Sequence, residues 1–326
     1  MLGAMPRPSA VRYGLAAALI LAALYGVAIL WSPVTSWIPA VAFLCAFFGL
    51  RRGNAWSGYG PALFLTSILL ALFVSELRVR AAPLPGLAGI AAFGAVFALL
   101  LFRAGRALPA QPRDQRTAWL ALTAVAFLFL CAFKPFVVPS GAMENTILLG
   151  DYLYVRVTGP FTPARGDIVA HHYPLDPKQI FIKRIVAVGG DRLRFHDKTL
   201  VLNGVPQNEP YAVHKTEYVS PFRDNFPAGQ PLALDPWQSE FPTHIVDGDL
   251  VVPAGKYFAL GDNRDDSLDS RYWGFLDRAD IIGKPLFRYF SADVPSAELN
   301  GPPQIGVPIL FTPARIRWSR LFQAVR

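Results

Sequence analysis

The chain has 326 residues, enough for two folding units, and its 53% hydrophobic content and mean hydropathy of +0.33 are too apolar for an ordinary soluble protein, so part of it is expected to face lipid. The formal net charge of +8 would suit a nucleic-acid binder, but it sits in one half: residues 1–134 hold 11 Lys or Arg against 2 acids, and residues 135–326 hold 20 against 21. A nucleic-acid surface needs basic residues clustered on a folded face, and the C-terminal half has no basic run, which excludes that class.

In chain order, apolar runs at 13–31, 38–50, 58–75, 86–102 and 119–133 are separated by Arg, Pro or Gly clusters, and most approach the roughly 20 residues a bilayer requires. They predict five spanning helices; the second is short, flanked by Pro33 and Pro39, and also readable as a re-entrant segment. Cys45 and Cys131 fall inside these runs and read as small buried hydrophobes, so no disulfide framework is encoded. Arg7, Arg12, Arg51, Arg52, Arg103, Arg106, Arg113 and Arg116 would lie on one side and only Arg78 and Arg80 on the other. That split predicts a cytoplasmic N-terminus and places everything after Lys134 outside. The first run is long, lacks a small-residue cleavage site and is followed by others, so it is expected to stay attached.

From Asp151 the texture becomes β-rich, with runs at 152–157, 167–173, 180–188, 250–252, 257–260 and 281–290 punctuated by Gly, Pro and Asp. Residues 205–248 are rich in Pro, Asn and aromatics without sustained periodicity and are expected to form a long excursion or subdomain. The expected fold class is a multi-span α-helical membrane domain over 1–134, followed by a mainly-β extracytoplasmic domain over 135–326, built of coiled or folded-over antiparallel sheets. Trp237 and Phe241 are candidates for a membrane interface or for ordinary packing.

Beyond the fifth apolar run stands the series Pro139, Ser140, Gly141, Ala142, Met143. Arg165, Gly166 and Asp167 lead to Phe181, Ile182, Lys183 and Arg184, and a third box runs from Gly261 and Asp262 through Asn263, Arg264, Ser267, Asp269 and Arg271 to Gly274. In order and spacing these boxes resemble the bacterial type I (leader) signal peptidases, over about residues 134–290, with alanine at position 142 where that family has its catalytic serine. Asn145, Ile147 and Gly189 depart more mildly from the family pattern and remove no reactive group.

The resemblance implies a serine endopeptidase that removes signal peptides from exported preproteins by a Ser/Lys dyad. A serine hydroxyl must lose its proton to a nearby base as it attacks, and a lysine can take that proton only when burial keeps its amine neutral. Lys183 would be the general base, Ser267 would orient its amine, and Ser140 with the backbone N–H of residue 142 would stabilise the oxyanion. Strand alternation puts Lys183 and Arg184 on opposite faces, so one can be buried while the other is solvated. Asp262, Arg264, Asp269 and Arg271 read as loop support, or as a solvated turn.

The same comparison assigns Phe136, Val138, Met143, Ile147, Phe181 and Ile182 to shallow pockets for small substrate residues. The bent chain at Val137 and Pro139 and the strand edge from Ile180 to Ile182 would pair with an extended substrate. Ile147 reads equally well as core. A methyl group at 142 can neither attack nor donate, so the chain as it stands is expected to be inactive. The five histidines include no metal-binding pair on a helix, and neither a metal nor another cofactor is expected. Expected partners are preproteins, membrane lipid and the export machinery, with localisation in the inner membrane. A non-enzymatic leader-peptide binder and a multi-span transporter or sensor remain open alternatives, the latter without a charged relay inside its spans.

Overall fold

The computed structural model describes residues 8–28, 33–79, 84–108, 114–228, 232–295 and 313–325. The chain divides into two compact units, Met1–Lys134 with Ile305–Ile316, and Pro135–Gln304 with Arg317–Arg326.

The first unit is helical: α1 Ser9–Ala28, α2 Pro33–Arg51, α3 Trp56–Val79, α4 Leu84–Arg106 and α5 Asp114–Ala132. Ala and Leu dominate these segments and favour helix, and α2 opens on proline, which is tolerated in a first turn. Phe43, Phe64, Leu50, Leu65 and Leu101 form the core with small residues between them. Gly58 allows α3 to close on α4, since a Cβ there would meet the backbone of Leu101 and Gly105.

The structure does not support the expected multi-span membrane domain. Among the described residues no helix is long and apolar enough to cross a membrane. The segments are helical, as the apolar runs predict, but Gly, Pro, Ser and Thr within them, as in α3 and α4, dilute the apolar character that a bilayer core demands. Arg7, Arg80 and Arg113, which carry part of the orientation reading, lie outside the described residues. Cys45, expected to be buried, is exposed.

The second unit is mainly antiparallel sheet. Its strands are β1 Phe133–Val137, β2 Asp151–Arg156, β3 Ile168–Tyr173, β4 Asp176–Val188, β5 Arg192–His196, β6 Thr199–Leu202, β7 Val205–Pro206, β8 Ile245–Val246, β9 Asp249–Val251, β10 Lys256–Leu260, β11 Leu276–Asp277, β12 Ile281–Ser291 and β13 Gln323–Ala324. The larger sheet runs β1-β2-β12-β3-β4-β10-β11, with β13 added to β12, and the smaller runs β7-β6-β5-β9-β8. The continuous apolar run in the second half of β4 is what a strand buried on both faces requires. β12 serves β2 with one part and β3 with another, and its register shifts around Gly283 and Pro285. Gly283 lies against the carbonyl of Arg156, where a Cβ would collide.

The smaller sheet packs on Phe222, Phe226, Trp237, Phe241 and Phe258 in a core rich in ring contacts. The 205–248 excursion is therefore anchored by aromatics, with short helices α6 Trp237–Glu240 and, beyond β10, α7 Ser270–Trp273. Trp237 and Phe241 are buried core residues, which removes them from the interfacial reading.

Candidate active site

β4 carries Lys183 into the interior, where the residue is only 3% exposed. Its Nζ donates to Ser267 Oγ at 3.0 Å and lies 5.5 Å from the centre of the Phe181 ring, which in turn stacks on Tyr173. Burial pushes the amine down from its ordinary 10.5 to about 8, although the buried carboxylate of Asp269 pulls the other way. This placement permits a neutral amine near physiological pH.

Lys183 lies at a cleft of about 550 Å³ lined also by Phe136, Val137, Val138, Pro139, Ser140, Gly141, Ala142, Met143, Ile180, Phe181 and Ile182. Ser140 is exposed at this cleft. Ile147 is the one expected pocket residue placed elsewhere: it is fully buried and packs with Val138, Met143, Leu153 and Ile168. Gln179, Asp266 and Leu268 line the cleft as well. β10 covers β4 only from Arg184 to Val188, so along 180–182 the described strand partner is β3 alone and the other edge is open beside the cleft.

The loop from 138 to 150 presents Ala142. Its ends are tied by backbone bonds between Val138 and Asp151 and between Gly150 and Val138, and its apolar side chains enter the core. Asn263, named in the third box but given no role there, donates its backbone N–H to the carbonyl of Ala142 and its side-chain amide to that of Gly141, both at 3.1 Å. Gly261, which opens that box, was likewise given no role. A Cβ there would collide with Ser267 Oγ and with the carbonyl oxygen of Ala142, so glycine brings the two loops into contact. An opening glycine in a charged loop was the available signal.

The charged residues of the third box are buried pairs. Arg184 makes a bidentate pair with Asp262 at 2.8 and 2.7 Å and lies 3.9 Å over the Tyr211 ring, so it is buried like its neighbour Lys183 and is not solvated. Arg271 clamps Asp269, which also accepts from the Gly261 N–H, and Arg264 pairs with Glu209 while donating to the Gly261 carbonyl. Burial alone would raise the Asp269 carboxyl, but the Arg271 guanidinium outweighs it and holds it below the ordinary range. With both its peptide groups held, Gly261 is fixed beneath Ser267 and Ala142. Among the described residues no group of three or more His, Cys, Asp or Glu side chains is placed to hold a metal ion.

An open strand edge beside a cleft with a dry amine in its wall suits a peptidase that binds extended chains. A family model described as signal peptidase, peptidase S26, matches residues 115–290, more than half of the chain. Signal peptidase I of Aquifex aeolicus (strain VF5) is 33% identical over 214 residues, covering 55% of this chain and 84% of that protein. Signal peptidase I of Bacillus caldolyticus is 32% identical over 183 residues, covering 55% of this chain and 92% of that protein. The crystal structure of a signal peptidase I from Enterococcus faecalis V583 matches with 32% identity over 39% of this chain and 98% of that one, at a TM-score of 0.29. The chain belongs to the signal peptidase, peptidase S26 family, whose members are serine endopeptidases that remove signal peptides.

Proposed function

We propose that this chain, with serine restored at 142, cleaves signal peptides from exported preproteins after small residues by a Ser/Lys dyad, and that the chain with Ala142 is its inactivated Ser-to-Ala form. The observation that carries the reading is the Lys183 amine, dry and 3.0 Å from Ser267 Oγ, in a cleft it shares with residue 142. In the restored protein the serine Oγ attacks the scissile carbonyl while its proton passes to Lys183 Nζ. The lysine then returns the proton to the leaving amine, and water, deprotonated by the same amine, releases the acyl group. Ser267 orients Nζ, and Ser140 with the N–H of residue 142 stabilises the oxyanion, each such donor lowering the barrier by about 3 kcal/mol.

The open edge at 180–182 would take the substrate as an added strand, its alternate side chains directed at Phe136, Val138, Met143, Phe181 and Ile182. The catalytic unit would act on the extracytoplasmic side. Exposed aliphatics on the helical unit, among them Leu19, Leu24, Leu44 and Leu128, support contact with lipid, and contact with the export machinery belongs to the same proposal.

The test is cleavage of a preprotein by the Ala142→Ser protein, followed by Lys183→Ala in that background. The expected result is cutting after a small residue, then loss of kcat by at least about 10³-fold. A folded Ala142→Ser protein that binds the preprotein and leaves it intact would instead favour a leader-peptide binder.

A further inference from the structure

The loop that carries position 142 is held from a second side by residues outside the 115–290 family match. Arg320 Nη2 donates to the carbonyl of Thr146 at 3.2 Å and to Asp151 Oδ2 at 2.9 Å, and Arg317 Nη1 donates to the carbonyl of Leu149 at 2.8 Å. Arg288 of β12 shares both acceptors of Arg320, reaching the Thr146 carbonyl at 2.9 Å and Asp151 Oδ2 at 2.7 Å. The segment is itself anchored. β13 pairs with β12, Gln323 accepts from Arg288, the Val325 N–H bonds Leu286, and the Val325 side chain packs on the cluster that contains Met143 and Ile147.

Thr146 makes this a link to the chemistry. Its carbonyl receives the two guanidiniums, while its hydroxyl donates at 2.6 Å to Asp262 Oδ2, the carboxylate paired with Arg184 next to Lys183. A carbonyl that accepts two charged donors is fixed in direction, and such bonds are about twice as strong as neutral ones. Thr146 is four residues from position 142, in a loop that Asn263, the Lys215–Glu144 pair, the Ala292 N–H on the Gly150 carbonyl and core side chains also restrain. We infer that residues 317–325 form a strap that holds the 138–150 loop in register with Lys183, and that Arg320 and Arg317 are positioning residues for the nucleophile at 142. The catalytic part of this inference rests on the function proposed above.

Two measurements test it. In the Ala142→Ser protein, Arg320→Met is expected to lower kcat about 10- to 100-fold with KM within about twofold, and Arg320→Lys to recover at least half of that loss on a logarithmic scale. Unchanged kcat, or an equal loss in the Lys and Met variants, overturns the positioning role. In the chain as it stands, Arg320→Met is expected to speed amide exchange at Ile147 and Gly150 at least about 10-fold while β10 amides keep their protection. Unchanged exchange in the loop, or equal acceleration in β10, overturns the strap. Should Arg320→Met fail to fold, Arg317→Gln is put through both measurements with the same outcomes. An inactive Ala142→Ser parent would count against the proposed function alone, because the exchange measurement needs no turnover.

Discussion

Lys183 concentrates the conflict between stability and chemistry in one side chain. Burial lowers its pKa from 10.5 to about 8, so at pH 7 about a tenth of folded molecules carry the neutral amine that a general base needs. In the Ala142→Ser protein kcat/KM should therefore rise with pH and level off above a midpoint near 8, and a pH profile that is flat between 6.5 and 9 would remove Lys183 as the base. The stability effect has the same sign. Between about 8 and 10.5 the unfolded chain binds a proton that the folded chain does not, so stability rises with pH across that window, and below it the folded state carries a buried charge. In the Ala142→Ser protein Lys183→Met should accordingly be inactive yet more stable at pH 7, by up to about 3 kcal/mol in denaturant unfolding, because the buried charge is gone. That Lys183 is buried at a cleft was anticipated because three boxes framed it. The burial of Arg184 was not, because strand alternation speaks only of opposite faces and cannot foresee a carboxylate such as Asp262 waiting on the second one.

At the scale of elements, the junction after β10 decides the site. Gly261 is flanked by Ser267 and by the Ala142 carbonyl, and both its peptide groups are bonded to the arginine and carboxylate pairs of the third box. Its backbone needs no unusual conformation, so what glycine supplies is closeness alone. Gly261→Ala must push the two loops apart against those bonds. The expected loss is about 1–3 kcal/mol of stability together with most of the activity of the Ala142→Ser protein, and a Gly261→Ala protein with parental kcat would mean that the loops tolerate separation. Strand positions were readable where β-branched and aromatic residues ran together between turn signals, as in β2, β3, β4 and β12. Of the smaller sheet only β9 was read, from the run at 250–252, although its turns were written in the sequence. Asn203 with Gly204 and Asp247 with Gly248 take positive φ at both turn positions, as do Asp197 and Lys198, which is the requirement of two-residue hairpins. β7 and β8 are only two residues long, too short for periodicity to register, so 205–248 read as an excursion with its ends unassigned.

For the whole molecule, composition misled in one respect and informed in another. Apolar content pointed to five spans, yet hydropathy summed along a run does not register where a helix starts, stops or turns polar, and among the described residues none suffices to cross a bilayer. The balance of charge in the second half was the better guide, because a near-equal count of acids and bases leaves room for buried pairs. Burial alone would raise Asp151, Asp269 and Glu209, but arginine partners hold all three below the ordinary carboxylate range. His171, fully buried with Nδ1 on the carbonyl of His172, is pushed by burial from 6.5 to about 3. The two kinds of group act in the same direction. As pH falls through 6.5 the unfolded chain protonates its histidine while the folded one does not, and below about 4.5 the unfolded chain also protonates carboxylates that the folded state keeps ionised. Stability of the catalytic unit should therefore fall in two stages, gently from about pH 6.5 and steeply below about 4.5. Denaturant midpoints followed by near-ultraviolet circular dichroism would resolve the stages, and His171→Phe should shrink the first, leaving the part that His214 contributes because burial pushes it down too, without moving the second. A single acid transition unaltered in His171→Phe would mean that this histidine stays hydrated and that burial does not set its charge.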